Sequence, residues 1–304
     1  MNTARLFWYV TEDRIARRFV KYPRLKRVNS FPYLNSDTYS FLCDITIDKQ
    51  EDFLDIESMP SDSTVYVNGN LLVSLEQEFL SSLSKRFEPL AAIVIGDSDN
   101  PPTASFLKEI QKNCKLVACV NVSSNIKGVV PLPLGIESQR YRSAGQIRDF
   151  KKIPSLSVES RSIGILVAWN DETNLKDRVL ARREITRSNC CLEIRRRVPA
   201  RYIHALMRRT LLVPCPPGNG KDTHRFWESL YLGALPVILK KDEIPAYSPY
   251  PYVAIEEWSE LSQLATEQLR EIYSSKISAL DFFRKNSHWH ITALFSYKMK
   301  SHEF

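Results

Sequence analysis

The chain has 304 residues and a formal net charge of +7, with 43 % hydrophobic and 25 % charged residues. These values exclude a disordered or fibrous protein, and the length predicts about two domains. The apolar runs are too short to span a bilayer, and charges follow the N-terminal apolar patch at once, so this segment is a poor signal peptide. We expect a cytoplasmic protein if the chain is complete, or a protein of the secretory-pathway lumen if an N-terminal anchor has been lost.

Regular patterns begin at residue 64, after a polar and irregular stretch. β-rich or continuously apolar runs predict strands at residues 64–69, 90–96, 116–122 and 128–135. Apolar residues at helical spacing predict helices at residues 71–87 and 103–113. This alternation is typical of a parallel α/β sheet.

A basic segment with little apolar periodicity, residues 140–156, predicts the link between two domains, and the alternation then restarts. The expected strands lie at residues 163–169, 210–216 and 234–239 and in the region 250–258. The expected helices lie at residues 175–185, 202–209, 223–232 and 259–277, and the aromatic C-terminal stretch is also expected to be helical. The sequence therefore predicts an α/β fold with two Rossmann-like domains, residues 1–150 and 151–304, that face a cleft. Ligands of such sheets bind beyond the carboxyl ends of the strands.

A loop rich in glycine and polar residues leads into the helix at residues 223–232. Gly218 and Gly220 allow positive φ and close approach of the backbone to a ligand. Asp222 or Thr223 suits the helix N-cap, and Gly233 is placed to end the helix in the left-handed conformation. The N-terminus of a helix carries a partial positive charge and free N–H groups, so this segment is suited to bind an anion.

The first turn of this helix carries two cations, His224 and Arg225, at the end where cations are disfavoured. A bound anion such as a diphosphate would explain them, and Glu228 lies one turn further, where it is placed to accept hydrogen bonds from ribose or sugar hydroxyls. The alternative is a plain surface loop with a capped helix and solvated charges. A P-loop is excluded by Cys215 and Asp222.

The segment PPGNGKDTHRFWESLYLGALPVIL, residues 216–239, resembles the donor-binding signature of exostosin-like and ribitol-xylosyltransferase-like glycosyltransferases. That signature is a strand, then P-x-G-N-G-x-D-x-H-R-x-W-E-A-L, then G-x-x-P-V. Ser229 stands where alanine is usual, and Leu235 where isoleucine is common. PLPLGIE (131–137) and NDETNLKDR (170–178) are also similar to family segments.

This resemblance covers about residues 60–260 and is strong only near residues 213–238. It implies a GT-B-like fold and a hexosyl- or pentosyltransferase that acts without a metal or other cofactor. It also implies that residues 151–304 hold a nucleotide-sugar donor, whereas residues 1–150 hold a hydroxyl acceptor such as a glycan in polysaccharide biosynthesis. The predicted donor-binding residues are Arg178, Gly218, Asn219, Gly220, Asp222, Thr223, His224, Arg225 and Glu228.

Two carboxylates, Asp97 and Asp99, follow the buried run at residues 90–96 and are therefore expected at the carboxyl edge of the first sheet. Sugar transfer with inversion needs a base that takes the proton of the acceptor hydroxyl, and either aspartate is a candidate catalytic residue. The alternative is that both only form the turn.

The positive charge is concentrated between Arg178 and Arg209, where ten arginines face only two acids, Glu184 and Glu193. This segment predicts either a local anion patch or a solvated helix face, and it leaves peripheral association with a membrane open. A nucleic-acid partner is not expected, because the segment carries no recognition motif. A non-catalytic nucleotide- or phosphosugar-binding module is the main alternative to an enzyme.

Overall fold

A computed structural model describes residues 27–100, 102–141, 147–151 and 157–286. Its strands form two five-stranded parallel sheets, which confirms the α/β class. The first sheet contains β1 (Ile45–Ile47), β2 (Thr64–Asn68), β3 (Ala92–Gly96), β4 (Val117–Val120) and β5 (Val129–Leu132). The second contains β6 (Ile163–Val167), β7 (Cys191–Glu193), β8 (Thr210–Pro214), β9 (Leu235–Leu239) and β10 (Val253–Ile255).

Helices precede, connect and follow the strands of both sheets. Those of the first half are α1 (Ser36–Leu42), α2 (Gly69–Ser84) and α3 (Ala104–Gln111). Those of the second half are α4 (Leu175–Ile185), α5 (Ala200–Met207), α6 (His224–Leu232), α7 (Ser259–Ser262) and α8 (Thr266–Asn286). Within the described residues, no helix combines the length and the apolar composition that crossing a membrane requires.

The two sheets differ in strand order. In the first, the order β1-β2-β3-β4-β5 follows the chain. In the second, the order is β10-β9-β8-β6-β7, so the chain moves from β6 to β7 on one side and then returns to place β8 on the other. The order therefore reverses between β6 and β8, where Ile165 pairs with Leu212. Such a reversal opens a crevice beyond the carboxyl ends of the strands.

Side chains of the first sheet alternate between two hydrophobic clusters. Val65 and Val67 pack into a cluster with residues of α2 and α3. Tyr66, between them, belongs to a larger cluster that also contains Ile165 and Trp227 of the second half. This is the two-residue period of a strand that is covered on both faces. The two halves therefore share a continuous apolar core.

Most predicted elements agree with the structure, but several short ones were missed. The missed elements span few helical turns or few strand residues, so their apolar residues show no clear periodicity in the sequence. They are α1, β1, β7 and the 3₁₀ helix Gln50–Ser58. The single long helix predicted at residues 259–277 is wrong, because α7 ends at Ser262 and α8 begins at Thr266.

The predicted linker is partly packed into the core. Asp149 and Phe150 are only 3 % and 5 % exposed. Residues 142–146 and 152–156 of that linker, and the aromatic stretch after residue 286, lie outside the described residues. The two sheets fall on either side of the expected boundary at residues 150 and 151.

Candidate functional site

A cavity of about 1050 Å³ lies beyond the carboxyl ends of β6 and β7. Its walls are the loop after β6, one side of α4, the segment after β7 and parts of α5 and α6. We refer to this cavity as the arginine pocket. Its arginines are Arg182, Arg183, Arg195, Arg196, Arg197 and Arg225, and its carboxylates are Asp171, Glu172 and Glu228. Cations therefore exceed anions in its lining, as expected for a site that receives an anionic ligand.

Helix α6 starts and ends as its sequence predicts. Thr223 occupies the N-cap with extended backbone angles, φ −131° and ψ 139°, although its side chain makes no capping hydrogen bond. Its Oγ1 atom is buried and has no hydrogen-bond partner. Gly233 follows the last helical residue at φ 80°, the left-handed conformation that glycine adopts without strain.

Arg225 extends from the first turn of α6 into the arginine pocket. Its Nη1 atom is buried without a hydrogen-bond partner, and its Nε atom lies 3.9 Å from Oε2 of Glu228. A buried donor without a partner costs free energy, so a ligand that accepts from it is bound more favourably.

Arg178 connects the loops that leave β6 and β8. Its Nε donates to the carbonyl oxygen of Pro217 (3.0 Å) and its Nη1 to that of Asn170 (2.7 Å). Burial, and then the nearby charge of Arg225, lower the pKa of Arg178 to about 10. The repulsion between the two guanidinium groups falls when an anion binds near both of them.

Glu228 lines the arginine pocket and lies in a row of buried charges. Its Oε1 is 3.4 Å from Nε2 of His204, and Nδ1 of His204 is 3.1 Å from Oδ2 of Asp149. Burial alone would raise the pKa of Glu228, but the hydrogen bond from His204 and the charges of His204 and Arg225 lower it to about 2. Glu228 therefore stays ionised and accepts hydrogen bonds only.

The two loop glycines differ in what a side chain at each position would meet. Neither Gly218 nor Gly220 has a positive φ, so this part of the prediction is wrong. A Cβ atom on Gly220 would lie 2.3 Å from the backbone oxygen of Asp99, and one on Gly218 would lie 2.8 Å from the guanidinium of Arg178. Close packing against a backbone oxygen therefore selects glycine at position 220, whereas at position 218 a Cβ atom would meet the end of a flexible side chain.

The same loop binds the first half of the molecule through Asn219 and Asp222. Nδ2 of Asn219 donates to Oδ2 of Asp99 (3.1 Å). The carboxylate of Asp222 accepts from the N–H of Leu134 (2.8 Å) and from Nε1 of Trp227 (2.7 Å). Burial raises the pKa of Asp222 to about 6. Asp222 thus positions the loop, and direct donor binding by it stays a prediction.

His224 contacts a protein carboxylate. Its Nδ1 donates to the carbonyl oxygen of Gly135 (2.7 Å), and its Nε2 lies 3.5 Å from a carboxylate oxygen of Glu137. Burial by itself lowers the pKa of His224, but Glu137 and the Gly135 carbonyl raise it. The carboxylate of Glu137 therefore accounts for this cation without a bound anion.

The two candidate bases, Asp97 and Asp99, differ in their surroundings. Asp97 has a positive φ of 51°, and its Oδ2 is 2.7 Å from Nη2 of Arg27 and 3.9 Å from Nη1 of Arg140. Asp99 is exposed, and its described side-chain partner is Asn219. A catalytic role for either residue stays a prediction.

Several residues of the arginine pocket could not be identified from the sequence. His204 gave no signal because its helix, α5, contains no motif. Trp169 lies in the pocket with the guanidinium of Arg182 5.2 Å from its ring centroid, and its Nε1 is buried without a partner. The run of arginines was visible, but only the fold brings Arg182 and Arg195 to the same cavity.

A scan against models of known protein families finds no match, and a search of curated proteins finds no relative. The resemblance to exostosin-like glycosyltransferases therefore stays a prediction from the motif residues. Among the described residues, no group of three or more His, Cys, Asp or Glu side chains is arranged to hold a metal ion. Metal-independent catalysis also stays a prediction.

Proposed function

We propose that this protein is a GT-B-like glycosyltransferase that moves a sugar from a nucleotide-sugar donor to a hydroxyl acceptor. The observation that carries the proposal is the arginine pocket, which lies next to the strand-order reversal of the second sheet and has an excess of cations. Its cavity of about 1050 Å³ is at the upper end of the range for ligand sites and is large enough for a nucleotide sugar.

The diphosphate of the donor would lie beside Arg225, which lines the pocket, and near Arg178, which does not line it but interacts electrostatically with Arg225. Arg225 has an unpartnered Nη1, and the pKa of Arg178 is lowered by burial and by Arg225. A diphosphate between the two guanidinium groups would accept a hydrogen bond from Nη1 of Arg225. It would also reduce the repulsion between Arg225 and Arg178. During transfer the bond between the sugar carbon and the diphosphate oxygen breaks, and cations near that oxygen stabilise the charge that develops there.

Other parts of the pocket suit the neutral parts of a nucleotide. The indole of Trp169 offers an aromatic surface for a base, and the ionised carboxylate of Glu228 accepts hydrogen bonds from hydroxyls. The acceptor would approach from the first sheet, where Asp99 contacts the donor loop through Asn219. Asp97 or Asp99 would take the acceptor proton in an inverting, metal-independent transfer.

A thermal-shift screen against UDP-, GDP- and CMP-sugars tests the proposal, because a ligand that binds the folded state raises its apparent stability. We expect one donor class to raise the melting temperature. Arg225→Ala should weaken binding of the nucleoside diphosphate by about tenfold or more, as measured by calorimetry.

Arg187→Ala is the matched control, since Arg187 is exposed and pairs with Glu184 outside the arginine pocket. Equal affinity of the Arg225→Ala and Arg187→Ala variants would contradict the phosphate assignment. Binding without any sugar transfer to hydroxyl acceptors would favour the non-catalytic module.

A further inference from the structure

The row Asp149–His204–Glu228 is the most deeply buried group of titratable side chains beside the arginine pocket. These residues are 3 %, 1 % and 7 % exposed. Each of the two ring nitrogens of His204 faces a different carboxylate, at 3.1 Å and 3.4 Å. Asp149 lies in the segment after the first sheet and Glu228 on α6, so the imidazole bridges two separate parts of the chain.

The chemistry of the three groups defines the protonation state of His204. An ionised carboxylate only accepts hydrogen bonds, and a neutral imidazole has only one N–H to donate. The second carboxylate would then face a lone pair. Both contacts are favourable only when the ring carries two protons, as an imidazolium.

An arginine lies beside each of the two carboxylates. Asp149 is 3.2 Å from Nε of Arg201, and its backbone oxygen accepts from Nη2 of Arg208. Oε2 of Glu228 lies 3.9 Å from Nε of Arg225. The ring of Phe150 also packs against the imidazole of His204, at a centroid distance of 4.9 Å.

We propose that His204 is a positioning residue: as an imidazolium between Asp149 and Glu228, it holds Oε1 of Glu228 so that this carboxylate receives a hydroxyl of the ligand in the arginine pocket. The inference rests on the proposed function for the identity of that ligand. Burial lowers the pKa of His204, but the hydrogen bonds and charges of Asp149 and Glu228 raise it above the ordinary value. The imidazolium is therefore present below that raised pKa and is lost as the pH rises through it.

Loss of the proton has two consequences for ligand binding. Glu228 or Asp149 loses a hydrogen-bond donor, and the row of charges becomes more negative by one unit beside the anion site. We therefore expect the affinity for a nucleotide sugar to fall by about tenfold between about pH 6 and pH 9. UDP-glucose and GDP-mannose are suitable probes because their diphosphate diesters keep a constant charge over this range.

Two substitutions separate positioning from simple structural support. In His204→Gln the side-chain amide reaches the place of Nε2 and still donates to Glu228, whereas in His204→Asn it reaches the place of Nδ1 and donates to Asp149. We expect the Gln variant to bind the probes with little dependence on pH, and the Asn variant to bind them more weakly at both pH values. The positioning role is wrong if the affinity lost by each variant is proportional to the decrease in its melting temperature. It is also wrong if the affinity of the wild-type protein does not change with pH.

An NMR titration of the imidazole signals tests the bridge without any ligand. The His204 signal, assigned by its loss in His204→Gln, should report a pKa above the usual 6.5, and Glu228→Gln should lower that pKa by about one unit or more. A His204 signal that stays neutral, or that ignores Glu228→Gln, overturns the bridge. If neither these probes nor any other nucleotide sugar of the screen binds the wild-type protein, the proposed function fails instead, and the donor role of Glu228 fails with it.

Discussion

The carboxyl ends of the two sheets balance their charges in opposite ways. At the first sheet, Asp37, Asp48 and Asp97 surround Arg27, and Arg140 adds a second guanidinium. At the second sheet, arginines outnumber carboxylates in the lining of the arginine pocket. Buried charges that the protein pairs internally support the fold, whereas an excess of cations around a cavity indicates a place for an anionic ligand.

The strand orders of the two sheets explain why the excess of cations lies at the second sheet and not at the first. The first sheet adds its strands in chain order, so successive connections cross in the same direction and no crevice opens between neighbouring loops. In the second sheet, the connections after β6 and β8 leave in opposite directions. The crevice between these two connections lies beside the start of α6, and Arg225 and Glu228 of this helix line the pocket.

The largest expected effect tests whether the first sheet takes part in catalysis. Asp99→Asn should reduce the turnover of the donor by about 10² to 10⁴-fold, the usual contribution of a general base. Asp97→Asn should have the smaller effect, because Arg27 already engages its Oδ2. Release of the nucleoside diphosphate at saturating donor measures both, with exposed Asp62→Asn as the control. If neither substitution slows transfer, the base lies elsewhere.

The second prediction concerns the internally paired charges of the first sheet. Arg27→Ala should lower the free energy of unfolding by about 3 kcal/mol, because it leaves the carboxylates of Asp37, Asp48 and Asp97 without their main counter-charge. Urea unfolding gives this value, and Arg187→Ala serves as the control. Nucleotide affinity of the folded variant should not change. A stable variant with weaker nucleotide binding would reverse the roles of the two regions.

The third prediction concerns the contact that joins the regions. Asp222→Asn should lower the free energy of unfolding by about 2 kcal/mol, because an amide group can accept from only one of Leu134 and Trp227 and presents a donor to the other.

Asp222 also predicts a pH dependence of stability. Its pKa is raised by burial from 3.8 to about 6, so its contribution to stability is fully present below pH 3.8 and is lost as the pH rises to about 6. Unfolding measured between these pH values should show this slope in the wild type and a smaller one in the asparagine variant. Equal slopes would contradict the assignment of this pKa.

The smallest expected effect compares the two loop glycines. Gly220→Ala should cost about 1.5 kcal/mol, because its Cβ would lie 2.3 Å from the backbone oxygen of Asp99, so that the backbone itself would have to shift. Gly218→Ala should be close to neutral, because the guanidinium of Arg178 lies at the end of a flexible side chain and can shift. Thermal unfolding of both variants measures the difference in stability. Equal losses of stability would show that the contact with the Asp99 backbone does not select glycine at position 220.

The sequence by itself determined the features that depend on neighbouring residues. Apolar runs and helical periodicity indicated the buried strands and most helices. Around α6, the sequence indicated an N-cap at Asp222 or Thr223, of which the structure uses Thr223, and the left-handed Gly233. These features depend on local backbone chemistry and on whether a segment faces a core. The three-residue strands β1 and β7 were not readable, because pairing with a neighbouring strand stabilises them.

Only the tertiary structure decided which charges meet. It pairs His224 with Glu137, although the sequence suggested a bound anion, and it places His204 between Asp149 and Glu228, which are 55 and 24 residues away along the chain. The sequence shows that a charge exists, but its free energy depends on burial and on partners brought close by the fold. For that reason the motif around Arg225 could be recognised in the sequence, whereas the arginine pocket that surrounds it could not.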